Sequence, residues 1–225
     1  MKKIDGGVTA AKGFEAAGVA SGIRKKGRLD MAIVYSQKPC HVAGAFTTNV
    51  VKAAPVKWDQ KIVKESAYAQ AVVVNSGIAN ACTGAEGYGY CQETAEKMSE
   101  VLGIPTEAVL VGSTGVIGMQ LPMEKITAGV EQLVEVKNTS IEAGTAAAQA
   151  IMTTDTCKKE IALQVEIDGV TVTIGGMAKG SGMIHPNMCT MLSFITTDAA
   201  ISKSALQKAL SADVEDTYNM ISVDG

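Results

Sequence analysis

Histidine is almost missing from this chain: among 225 residues only His41 and His185 carry an imidazole. A hydrolytic triad of the Ser-His-Asp type therefore has little to draw on. Aromatic residues are scarce as well, at 4%, so Ala, Val, Ile, Leu and Met must fill any core. The five cysteines, Cys40, Cys82, Cys91, Cys157 and Cys189, are scattered and odd in number. No two stand at C-x-x-C spacing, which argues against a zinc site and against a dithiol redox motif. Reduced thiols in a cytosolic protein are the simplest reading. No apolar run approaches the roughly 18 residues of a membrane-spanning helix. The opening MKKIDGGVTA has two lysines but no apolar stretch behind them, so it does not read as a secretory signal. Net charge is −3, which gives no general attraction for nucleic acid. The one basic cluster, residues 24–28, reads as a solvated turn rather than an anion site. Nucleotide fingerprints fail too: residues 175–180 lack the G-x-x-x-x-G-K-[ST] order, and no G-x-G-x-x-G leads from a strand into a helix.

What is present is a mixed α+β pattern. Apolar content of 47% is ample for a core, either one large domain or two small ones. Gly6 to Gly27 reads as irregular, Met31–Ser36 as a buried strand, Val42–Thr48 as a second strand, and Lys38-Pro39 as the turn between them. Ala71–Asn75 and Ala108–Val111 are further short strands. Cys91, Ala95, Met98 and Leu102 fall at helical spacing and predict a helix over 88–102, stopped by Gly103 and Pro105. Pro122 opens a helix running to about Glu135. Thr139-Ser-Ile-Glu142 fits a capping box for an Ala-rich helix to Met152. Ile161–Ile167 and Val170–Ile174 alternate around Asp168-Gly169, the dipeptide that suits a type I′ hairpin. A helix from Ser202 to Tyr218, with Ala205, Leu206, Ala209 and Leu210 on its apolar side, closes the sequence.

Three stretches carry chemistry. In GGMAKGSGMIHPNMCTMLSFITTD, residues 175–198, a Gly-rich loop holds Lys179 and ends at Cys189-Thr190, where a β-prone run begins. A hydroxyl is thus placed where a loop enters a strand. A lone Thr there reads as an ordinary strand residue; what the resemblance given below implies is that Thr190 Oγ attacks the carbonyl before it and that hydrolysis of the resulting ester leaves an N-terminal Thr. Its own α-amine, with an ordinary pKa of about 7.7–8.0, serves as base for the hydroxyl, so no histidine is required. In VGSTGVIG, residues 111–118, a strand runs into a Gly/Ser/Thr loop of the kind that presents fixed donors to an oxyanion. The alternative is an ordinary strand-to-loop turn. In IMTTDTC, residues 151–157, three hydroxyls either line a pocket or cap the preceding helix and start a turn. Asp198, Glu93 and Glu96 form no convincing carboxylate pair.

The string GGMAKGSGMIHPNMCTML resembles the self-cleavage segment of the ornithine acetyltransferase (glutamate N-acetyltransferase) family. The resemblance extends to GGVTAAKGFEAAGVASGI at 6–23, FTTN at 46–49 and VVVNSGIANACTG at 72–84, so to nearly the whole chain. It implies a layered αββα-like domain of the self-processing, N-terminal-nucleophile type. It also implies an acetyltransferase that moves the acetyl group of N2-acetylornithine to glutamate through an acetyl-Thr intermediate. The roles it implies are Thr190 as nucleophile, Thr114 and Gly115 as oxyanion donors, and Thr153 and Lys179 as substrate contacts, with Thr154 and Thr156 as alternatives to Thr153. Cleavage falls between Cys189 and Thr190, giving an α segment of 1–189 and a β segment beginning with 190–225. Cys189 stands where the family more often has Ala, which sets a second candidate nucleophile beside the first. No metal or cofactor is implied, although some members accept acetyl-CoA as substrate. The implied partners are small molecules and paired α and β chains in a larger assembly, without nucleic acid or membrane. Family members continue beyond Met220-Ile-Ser-Val-Asp-Gly225, so the resemblance also implies a fold that is incomplete at its C-terminal end. Two rival readings remain open at this level: a related self-processing amidohydrolase or aminopeptidase, and a fragment that needs a second polypeptide.

Overall fold

The computed structural model describes residues 1–25, 27–182 and 191–222. Two four-stranded sheets form the frame. The first has the order β2 (Phe14–Val19), β3 (Met31–Cys40), β4 (Ala69–Ile78), β5 (Val109–Val116). The second has the order β1 (Lys2–Ile4), β6 (Lys159–Ile167), β7 (Val170–Lys179), β8 (Leu192–Thr197). All pairs are antiparallel except β4–β5, which run parallel. That pair is joined through helix α2 (Glu86–Leu102), as a parallel crossover requires.

Strand alternation divides the core in two. Met31 and Ile33 of β3 and Val73 of β4 point to one face, where Trp58 and Ile62 of α1 (Ala54–Glu65), Cys91, Ala95 and Met98 of α2, and Ile126, Val130 and Leu133 of α3 (Met123–Val136) cover them. Ala32, Val34 and Val74 point to the other, against Ala147, Ala148 and Ile151 at α4 (Ile141–Ala150) and Met177 of β7. The layers therefore run helices, first sheet, second sheet, with α4 packed on the inner side. On the far face of the second sheet, Ile161, Ile174 and Ile195 are 47%, 38% and 52% exposed, and among the described residues this face stays open. No helix among the described residues is long and apolar enough to cross a membrane.

Several local expectations hold. Asp168 and Gly169 both have positive φ, 50° and 79°, as a type I′ turn needs. Gly103 closes α2 in the left-handed region at φ 66°.

Others are corrected. The irregular N-terminal segment contains β2, paired with β3 from Phe14↔Ser36 to Val19↔Met31. Its small residues are a packing requirement, since a Cβ on Gly18 would stand 2.2 Å from the Ala146 carbonyl oxygen. The second strand expected at Val42–Thr48 is absent, because β3 runs on to Cys40 through Pro39. The register shift between Tyr35 and Cys40 spares Pro39 a ladder bond. Ser140, not Thr139, caps α4 and accepts the Ala143 N–H at 3.1 Å, which puts Glu142 one position too early for a capping box. The apolar side expected for α5 (Lys203–Asp216) is not buried: Ala205 and Ala209 are exposed, and Val214 alone is fully covered.

Candidate active site

Thr114 and Gly115 lie within β5, not in a loop after it, in register with Ser76 and Gly77 of β4. Gly115 has φ +136°, and a Cβ there would stand 2.2 Å from the Gly77 carbonyl carbon, so only glycine lets the two strands approach this closely. The loop expected around Lys179 is also strand. Gly175, Gly176 and Lys179 belong to β7, and Gly175 is small because the Gly7 carbonyl oxygen comes within 2.1 Å of where its Cβ would be.

The two sheets meet at this end. Lys179 Nζ, from the second sheet, donates to Thr114 Oγ1, from the first, at 3.0 Å. Both residues are buried, Lys179 to 4% and Thr114 to 8% exposure. A hydroxyl that accepts from an ammonium keeps its own proton free to donate elsewhere, and the cation polarises it into a stronger donor. Burial pulls the Lys179 ammonium below the ordinary lysine range; the nearby Asp155 carboxylate opposes this and Lys159 adds to it.

The turn after α4 supplies the third wall. Asp155, absent from the sequence-based candidates, has no exposed side-chain surface. It accepts the N–H groups of Gly180 at 2.9 Å and Thr153 at 3.2 Å and pairs with Lys159. Burial alone would raise its pKa; the Lys159 ammonium and the two backbone donors outweigh that and hold it below the usual carboxylate value. Thr154 Oγ1 meets Ser181 Oγ at 3.0 Å, so a hydroxyl of this turn touches the strand end rather than capping α4. Thr153 is half-buried and Thr156 exposed. Arg24, expected in a solvated turn, is half-buried instead, with Nη1 donating to the Met152 carbonyl at 2.8 Å and its side chain lying over Gly77. The signal missed in the sequence was Asp30. This buried carboxylate accepts the Ser21 and Arg24 N–H groups, at 2.7 and 2.8 Å, and folds the segment inward.

Lys179, Thr114, Gly115 and the 153–156 turn are thus brought to one end of the two sheets. Cys189 and Thr190 lie outside the described residues. Leu192, two positions after Thr190, is the register partner of Lys179. Among the described residues, no cluster of His, Cys, Asp and Glu suits a metal ion. Cys40, Cys82, Cys91 and Cys157 are unbridged.

The two sheets, with buried polar side chains gathered at one end, share a layered class of fold with N-terminal-nucleophile hydrolases. The L-aminopeptidase D-Ala-esterase/amidase of Ochrobactrum anthropi, described as a variant of that fold, superposes with a TM-score of 0.55 at 13% identity over 97% of this chain and 71% of its own, a likeness of fold alone. Within that class the chain belongs to the ArgJ family, whose model matches residues 15–225. It is 55% identical over 215 residues to the arginine biosynthesis bifunctional protein ArgJ of Thermotoga neapolitana, covering 95% of this chain and 53% of the relative. The ornithine acetyltransferase of Mycobacterium tuberculosis, solved with ornithine, matches at a TM-score of 0.76 and 42% identity over 85% of this chain and 99% of its own. The chain spans about half the length of the curated relatives it matches.

Proposed function

We propose that this chain carries the nucleophile and oxyanion half of an acetyltransferase of arginine biosynthesis, moving the acetyl group of N2-acetylornithine to glutamate. The observation that carries the reading is the buried Lys179–Thr114 contact between the two sheets. It sets a polarised hydroxyl beside Gly115, and Lys179 is itself the register partner of Leu192, the residue that follows Met191. Thr190 Oγ attacks its preceding carbonyl, the C–N bond breaks to leave an ester and a free α-amine, and water hydrolyses that ester, separating 1–189 from a segment beginning at 190.

The freed α-amine of Thr190 takes the proton from its own Oγ as that oxygen attacks the acetyl carbonyl. Thr114 Oγ1–H and the Gly115 N–H donate to the tetrahedral oxygen. Ornithine leaves with the proton, and the glutamate amine then attacks the acetyl-Thr ester and regenerates the hydroxyl. Thr153, or its neighbours Thr154 and Thr156, and Lys179 hold the amino acid substrates. The Lys179 cation also helps keep the Thr190 amine neutral by repulsion. The scheme uses no metal or cofactor, with acetyl-CoA an additional donor to be assayed. It fits paired α and β segments in a cytoplasmic assembly.

Denatured intact mass of the purified chain tests the cleavage. Two species split between Cys189 and Thr190 are expected, and Thr190→Ala is expected to abolish both cleavage and acetyl transfer. A split before Cys189 would move the chemistry by one residue. Acetyl transfer by Thr190→Ala protein would sink the scheme, and release of acetate in place of acetylglutamate would make the enzyme a hydrolase.

A further inference from the structure

The stretches that form the site belong to different elements, and one buried hydroxyl joins two of them. Ser76, near the end of β4, has no exposed surface. It is the register partner of Thr114 on the parallel strand β5. The two side chains therefore stand on the same face of the sheet, on strands about 4.8 Å apart. Thr114 turns to the second sheet, through Lys179. Ser76 turns to α4, where its Oγ donates to the Ala150 carbonyl at 2.6 Å. Ala150 is the last residue of α4, and the turn that carries Thr153 follows it. A helix leaves its last carbonyls without partners from its own turns. The Ser76 hydroxyl supplies a donor to one of them in a buried position, so its removal would strand an acceptor there. Ser76 is itself held from the backbone, since its N–H donates to the Asp30 carbonyl at 2.8 Å.

We propose that Ser76 is a positioning residue for the amino acid substrate. Its hydroxyl, acting through the Ala150 carbonyl, fixes where the 151–157 turn sits against the strands that present Thr114 and Gly115. Ser76 touches neither the substrate nor the reacting atoms, and its part in the reaction rests on the acetyl-transfer reading above. Two ties hold the turn and the end of α4 to the first sheet and its leading segment: Ser76 at Ala150 and Arg24 at Met152. A third, from Asp155 to the Gly180 N–H, holds the turn to the second sheet. A division of labour follows from these contacts. Thr114 keeps its Lys179 partner whether or not the turn is fixed, so the oxyanion donors do not depend on Ser76. The substrate contact at Thr153 does.

The experiment compares wild type with Ser76→Ala in the 225-residue chain, by amide exchange, intact mass and acetyl-transfer kinetics. The Met152 and Thr153 N–H groups are bonded within the turn, to the Gln149 carbonyl and the Asp155 carboxylate. Their exchange by local opening is expected to quicken about tenfold, the scale of one buried hydrogen bond. KM for N2-acetylornithine is expected to rise about tenfold while kcat and the rate of self-cleavage hold, the pattern of an interaction made equally in ground and transition states. A role in packing alone would quicken exchange in the core but leave local opening of the turn, and KM, as they were.

Unchanged exchange at Met152 and Thr153 in folded Ser76→Ala protein overturns the proposal. So does faster exchange there with an unchanged KM, which leaves the acetyl-transfer reading standing. Loss of cleavage along with transfer would assign Ser76 to the oxyanion strands and overturn it too. Should Ser76→Ala not fold, Ser76→Cys keeps a side chain of similar shape with a weaker donor, and unchanged turn exchange and KM in that variant overturn the proposal as well. Wild-type chain that neither cuts nor transfers sinks the acetyl-transfer reading, and the substrate role of Ser76 falls with it; the exchange result still decides whether the hydroxyl holds the turn.

Discussion

Gly115 and Gly77 face each other across the parallel strands β5 and β4 so closely that a Cβ on Gly115 would stand 2.2 Å from the carbonyl carbon of its partner. The backbone of Gly115 also sits at φ +136°, where side chains are rarely tolerated. Gly115→Ala should therefore cost about 3 kcal/mol of stability, from overlap and conformational strain together. The urea midpoint measures this, and a variant as stable as wild type would mean that the strands can move apart there.

Thr114→Val keeps shape and burial but deletes the hydroxyl that Lys179 polarises. It should slow acetyl transfer by about a hundredfold, the scale of losing one oxyanion donor. Lys179→Met should slow it too, while Lys179→Arg should restore charge but not the geometry of the Thr114 contact. Equal rates for Thr114→Val and wild type in a single-turnover assay would remove Thr114 from the chemistry.

Arg24→Met should loosen the turn after α4. It removes the donor to the Met152 carbonyl, a part-buried bond, at a cost of about 1–3 kcal/mol. The readouts are the unfolding midpoint and faster amide exchange at 153–155. An unaltered exchange pattern there would show that Arg24 does not hold the turn.

Asp59, on α1, predicts a pH dependence unrelated to the site. Burial raises its pKa from 3.8 to about 8, offset only in part by the Val111 N–H, which it accepts at 2.9 Å. A carboxyl whose folded pKa is raised stabilises the fold most below its unfolded value, and that stability is lost as pH rises. The loss runs from about pH 4 to about pH 8, at up to ~1.4 kcal/mol per pH unit. Asp59→Asn should flatten the curve over that window, as followed by urea denaturation at pH 5 and pH 8. A wild-type protein equally stable at both would contradict the raised value.

The sequence showed strands best where β-branched residues cluster, as in Val72–Val74 and Ile161–Ile174, and helices where the 3.6 spacing was strict, as in α2. It hid β2, because Ala16 and Gly18 are small to let α4 approach and Ala17 fills the core on the opposite face, none of them chosen to favour a strand. It also hid the extended character of Gly112–Gly115 and Gly175–Lys179, since glycines chosen for close contact look like loops. Thr114 and Lys179 could be named from the family resemblance, yet their meeting across 65 positions could not. Asp155 and Arg24 were missed because one telling partner of each, the Gly180 N–H and the Met152 carbonyl, is a backbone group far away in sequence.

The bond from Lys179 to Thr114 also has a consequence for folding order. One end comes from each sheet, so the contact cannot exist until β5 and β7 have docked. Such long-range pairings form late, after loop-closure entropy has been overcome. A self-cutting reaction that depends on this contact is then an internal checkpoint. If the chain cuts itself as proposed, chains that have collapsed without docking their sheets would stay whole, and the cut would report completed assembly.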